Sequence, residues 1–240
     1  DLQMGEKTEI EAVIIEEGSI VVPAKFFGDI LRSFSSNDTV INFVSDERYS
    51  CKITTEDSEF TLSGFSPEEY PELPTITGGM PLVLDGNLLK DMIDKTGFAA
   101  AETDVINGVH TGIKFEIRKN KLRLIALDGY RLAIRNENIN YEGEDKDFVV
   151  PKKTLLEITR LVETEESSVS LIVSSNHALF KINSYTVITR LLSGSFLKYQ
   201  NSIDSAVSTA DFKVVAKVNS LIKTINRISL IIVDRTKSPI

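Results

Sequence analysis

Short stretches of alternating apolar and polar residues, rich in β-branched side chains and separated by turn residues, run through most of the chain. They predict strands over 11–15, 39–44, 49–54, 59–62, 112–118, 121–126, 132–135, 169–174, 178–182 and 186–191. Asp128-Gly129 predicts a tight turn between two of them. Four segments repeat their apolar positions with helical period instead: 24–34, 87–100, 153–162 and 219–232. In the first, Phe26, Phe27, Ile30, Leu31 and Phe34 form one stripe. Pro23 and Pro151 stand just before two of these helices, where the missing N–H does no harm.

The pattern recurs. Val21-Val22-Pro23 returns as Val149-Val150-Pro151, Lys52-Ile53 as Lys181-Ile182, and Leu62-Ser63-Gly64 as Leu192-Ser193-Gly194, at offsets of 128 to 130 residues. Each copy then reaches a tyrosine, Tyr70 and Tyr199. Asn87, Leu89 and Ile93 pair more weakly with Asn219, Leu221 and Ile225, at an offset of 132. Ordered matches at a nearly constant offset identify an internal repeat. The Pro- and Gly-rich stretch 66–80 reads as a domain boundary, with a weaker one near 204–209. The expected division is therefore 1–78, the late part of one repeat; 79–204, a complete repeat; and 205–240, the first strand and helix of another.

Charge sits opposite the apolar stripes. Lys25 and Arg32 are seven residues apart, so at about 100° per residue they share one helix face. The repeat carries them to Lys153 and Arg160, opposite Leu155, Ile158 and Val162; Lys223 and Arg227 lie opposite Leu221, Ile225 and Ile228. Any surface helix carries charge on its outer face, and 87–100, with Asp91 and Asp94 beside Lys90, shows no such preference. Recurrence of one sign at matching positions points instead to cations that touch phosphates without reading bases. No aromatic residues interleave with them, which disfavours stacking on single strands.

Composition narrows the class. The net charge of −8 removes any argument for nucleic-acid binding from bulk charge, leaving only local charge on one face. No apolar run is long enough to span a membrane, and a single cysteine, Cys51, fits a reducing cytoplasm. Cys51, His110 and His177 are scattered, so no metal site or cofactor is expected. No phosphate loop or Ser-His-Asp arrangement stands out, so no catalytic residue is assigned.

These features resemble the bacterial DNA polymerase III β-subunit family, the β sliding clamps. The resemblance rests on LLKDMIDKTGFAAAETD (88–104), TGIKFEI (111–117), KLRLIALDGYRLA (121–133), FVVPKKTLLEITRLV (148–162) and LLSGSF (191–196) followed by Tyr199. Upstream, VVPAKFFGDILRSF (21–34) and FTLSGFSPEEYPEL (60–73) add to it. It implies an α+β DNA-clamp fold of repeated domains, with paired helices on antiparallel sheets, truncated here at both ends; the start on Asp1 rather than Met agrees. It implies a processivity factor that encircles duplex DNA as a homodimeric ring, without catalysis of its own. The implied partners are double-stranded DNA, the replicative polymerase, the clamp loader and other proteins carrying a clamp-binding motif.

The resemblance further implies a pocket for short client peptides walled by His110, Leu127, Tyr130, Arg131, Leu132 and Leu197, with Asn201 and Ser202 nearby. Several positions depart from the family's pattern: Leu127 replaces a common Thr, Leu197-Lys198 stands where Pro-Asp is usual, and Asn107 or a neighbour where many members have Arg. The altered pocket and the acidic charge motivate an alternative, a clamp-like adaptor that binds peptides and does not encircle DNA.

Overall fold

The computed structural model describes residues 3–34, 40–76, 79–103, 108–162 and 167–230. The chain forms two compact units, 1–196 and 197–240.

The first unit contains twelve strands among its described residues. They are β1 (Met4–Lys7), β2 (Asn42–Ser45), β3 (Ser50–Thr54), β4 (Glu59–Ser63), β5 (Leu82–Asp85), β6 (Gly112–Arg118), β7 (Lys121–Leu127), β8 (Leu132–Asn138), β9 (Lys146–Pro151), β10 (Ser168–Val173), β11 (His177–Ile182) and β12 (Tyr185–Arg190). Its helices are α1 (Ala24–Ser33), α2 (Gly86–Gly97) and α3 (Lys152–Leu161). Three sheets result, in the orders β1-β12-β11-β10-β5, β2-β3-β4 and β8-β7-β6-β9, and every pairing is antiparallel.

The complete repeat is made of two halves of like design: a leading strand, a helix and a three-stranded meander. The halves exchange leading strands, β5 pairing with β10 and β9 with β6. Alternate residues of the two sheets then face a shared core that includes Leu82, Leu84, Phe115, Leu122, Leu124, Val169, Leu171 and Phe180. Leu89, Met92 and Ile93 of α2 and Leu155 and Ile158 of α3 complete it, and the two helices pack on each other. Phe115 and Phe148 stack at 5.2 Å between neighbouring strands.

Local chemistry sets the ends of these elements. The Asp85 carboxylate accepts the Leu88 N–H at 2.8 Å and caps α2. Pro23 and Pro151 are the N-caps of α1 and α3, in extended conformation. Gly86 is held close to β10: its N–H donates to the Ser167 carbonyl at 2.7 Å, and a Cβ there would lie 2.6 Å from that oxygen. Gly129, at φ +90°, occupies the left-handed region in the turn between β7 and β8. Asp128 fixes that turn by accepting the N–H groups of Tyr130 and Arg131 at 3.0 and 3.1 Å.

The four expected helices form, with ends shifted by up to three residues. The strand expected over 11–15 does not: these residues lie outside any ladder, and Val13 and Ile15 are more than 90% exposed. β1, β5 and β9 were not foreseen. The stretch 204–209, expected as a weak boundary, lies mostly within a helix of the second unit, α4 (Tyr199–Ser208). That unit continues through an extended exposed segment to α5 (Val218–Ser229). β1 pairs with β12 of the complete repeat, not with the three-stranded sheet of its own sequence neighbourhood.

Candidate nucleic-acid interface

Within the first unit, the amphipathic period of α1 and α3 decides where their cations point. The apolar side of α1 meets its sheet through Phe27 against Phe43 and through Phe34, just after the helix, against Phe60. Lys25 and Arg32 are left exposed on the far side. α3 buries Leu155 and Ile158 and leaves Lys153 and Arg160 exposed. The repeat extends to a detail the sequence reading missed: Arg32 pairs with Asp29, and Arg160 with Glu157, each one turn back at equivalent positions. These pairs are solvent-exposed, so they hold each guanidinium weakly and leave it able to exchange its carboxylate for a phosphate. In the second unit, Lys223 and Arg227 lie on α5, which is exposed along its whole length.

The residues assigned to client binding divide between the units. Leu197 is half-exposed in the second. The other five belong to the first, where the sheet register gathers them. Lys114 stands opposite Ile125, which brings the start of β6, with His110 just before it, alongside the end of β7 and Leu127. Leu127 pairs with Leu132 across the hairpin mouth. Leu127 is buried, which removes it as a directly accessible wall, and Leu132 is half-buried. Tyr130 is 89% exposed at the tip. Arg131 is oriented twice, by Asp128 at 2.9 Å and by the Phe98 ring at 5.8 Å. Hydrogen bonds from Tyr130, Arg131 and the Arg131 guanidinium hold the Asp128 carboxyl below the usual range although its partial burial works the other way.

Two further residues of this surface were not assigned from sequence. Phe196 meets the His110 ring edge-on at 5.4 Å and lies 5.8 Å from the Lys114 ammonium. Its signal was present, since it closes the LLSGSF motif. Lys114 is also held by Glu116 at 2.7 Å and Asp147 at 3.1 Å. Burial disfavours its charge, yet those two carboxylates raise its pKa above the ordinary lysine value. Asn107 and the side chain of Ser202 lie outside the described residues.

Elsewhere, a cleft of about 240 Å³ separates β1 from the 70–74 segment, with His177 and Arg190 on its wall. Cys51 is buried, which pushes its thiol pKa up and away from nucleophilic chemistry. Among the described residues no His, Cys, Asp and Glu cluster could hold a metal ion, and no helix is long and apolar enough to cross a membrane.

Two models of one family match the chain: the central domain of the DNA polymerase III beta subunit over residues 83–198, and its N-terminal domain over residues 1–74. The chain belongs to the DNA polymerase III β-subunit family. A beta sliding clamp of Staphylococcus aureus (strain Mu50) is 33% identical over 76% of this chain and 48% of its own length. The chain thus spans about half the length of the curated relatives it matches. A crystal structure of a putative DNA polymerase III beta subunit from Eubacterium rectale superimposes with a TM-score of 0.87 at 31% identity, over 96% of this chain and 62% of that one. The beta chain from Streptococcus pneumoniae gives 0.85 at 27% identity, over 95% and 61%. The Bacillus subtilis sliding clamp, at 23% identity, shares the fold with a TM-score of 0.87 over 98% and 63%. The α+β clamp fold expected from sequence is the fold observed.

Proposed function

We propose that this chain is the DNA-holding part of a processivity clamp, a non-catalytic subunit that stays on duplex DNA and keeps a replicative polymerase there. One observation carries the reading: an exposed Lys and an exposed Arg recur at equivalent positions on α1 and α3, each Arg tethered by an acid one turn earlier. A protein of net charge −8 that keeps cations in register on repeated helices is suited to contact a regular array of phosphates. Lys223 and Arg227 extend the same role to α5. The family adds ring formation, a homodimer of the whole protein, and the polymerase and clamp loader as partners, in the cytoplasm. In this reading 1–78, 79–204 and 205–240 are the late part of domain I, all of domain II and the opening of domain III.

Clients would reach the surface around Tyr130, Arg131, Leu132 and His110, to which the structure adds Phe196, with Leu197 contributed by the second unit. Leu127 shapes that surface from beneath. The relatives compared above carry clamp names, and no observation favours the adaptor that leaves DNA alone.

Retention on nicked circular duplex tests the proposal. Protein loaded on circles is expected to stay until the DNA is linearised, then to leave from the ends, and to raise polymerase processivity while bound. Reversing the charge of Lys25, Arg32, Lys153 and Arg160 together should abolish retention. Unchanged retention by that variant would remove the phosphate-contact role and favour the adaptor.

A further inference from the structure

The exchange of leading strands in the complete repeat shows what the two partial repeats lack. Upstream, α1 and the meander β2-β3-β4 form a half whose β2 has no second strand neighbour among the described residues. β2 is exposed throughout, and Phe43 is 50% exposed although its repeat equivalent, Leu171, is 1% exposed. Downstream, residues 212–229 are the converse: an extended segment and a helix without a meander. At the offset of 132, Val214 and Val215 take the places of Leu82 and Val83 in β5, and Leu221 and Ile225 those of Leu89 and Ile93 in α2. Leu82, Leu89 and Ile93 are 1% exposed or less; Val214, Leu221 and Ile225 are 75%, 51% and 40% exposed.

We infer that residues 212–229 of one copy dock on the β2 edge and α1 of a second copy, as β5 and α2 dock on β10 and α3 within the complete repeat. Leu171 pairs with Leu82 and Ser170 with Val83 there, which sets the register: Val214 opposite Phe43 and Val215 opposite Asn42. Strand addition satisfies the free edge, and burial of the α5 stripe supplies the apolar contact. The occupant is a second copy because 212–229 remain exposed in the single chain. Its two complementary surfaces differ, so association is head to tail. The inference rests on the repeat and is independent of any contact with DNA.

The test is the mass of the 240-residue chain in solution by light scattering across micromolar concentrations. Two or more copies are expected. The double variant V215P/I225D alters only exposed positions of the downstream segment; it should be monomeric on its own yet still bind the unaltered chain. F43D damages the other surface and should likewise be monomeric, and a mixture of the two variants should stop at a one-to-one heterodimer. Should F43D fail to fold, the double variant decides alone. Mild oxidation of F43C/V214C should link separate chains. A chain that is monomeric at every concentration, association that survives V215P/I225D, or a disulfide at monomer mass would each overturn the inference.

Discussion

Asp147 illustrates how single charges are set by the sheet. It lies on β9 opposite Glu116, between the Lys114 ammonium at 3.1 Å and the Arg118 guanidinium at 2.6 Å. Burial alone would raise its pKa, but those two cations outweigh it and lower the value. A carboxyl whose folded pKa is depressed contributes stability that is complete above its unfolded value, near about 3.9, and fades as pH falls through the folded value. Asp147→Asn is therefore expected to lower Tm by roughly 1–4 °C near neutrality, the effect of a screened pair worth under about 1 kcal/mol. The variant should also lose less Tm than the wild type below about pH 4. Parallel acid limbs in a fluorimetric melting series would refute the assignment. None of this was legible in the sequence, because partners on separate strands meet only once register is fixed. The turn at Asp128-Gly129 was legible, since a local side chain and a glycine suffice to make it.

Helices announced themselves through period, and the structure shows why period suffices: each buries one stripe against a sheet that lies elsewhere in the sequence. Within α3, Ile158 is fully buried while Leu156 is 42% exposed. Ile158→Ala should therefore cost about 2–5 kcal/mol and Leu156→Ala well under half of that, by urea denaturation. Equal losses would mean that the helix does not sit on this core. Strands were harder to read. Residues 11–15 have β-branched side chains but no ladder partner, and propensity without a neighbour makes no strand. β5 and β9 are short and lead directly into helices, so their apolar residues read as helix approaches. In α4, Ser and Asn conceal a helix behind the composition of a linker.

At the scale of the whole molecule, the DNA surface has to be read against a net negative charge. If Lys25, Arg32, Lys153 and Arg160 each neutralise one phosphate, removing all four should flatten the slope of log K against log salt for duplex binding by about 3.6. An unchanged slope would mean that other groups carry the contact. Repeat and family were readable from sequence because both are linear patterns. That β1 joins the far sheet was not, because its partner β12 is nearly the whole first unit away. This one pairing also orders events during synthesis. Met4 faces Thr189, so a ribosome adding ~5–20 residues per second needs roughly 10–40 s to deliver the partner. Throughout that interval the first strand to emerge waits unpaired while the central repeat folds, and the stitch that ties the front of the chain to its middle is sewn last.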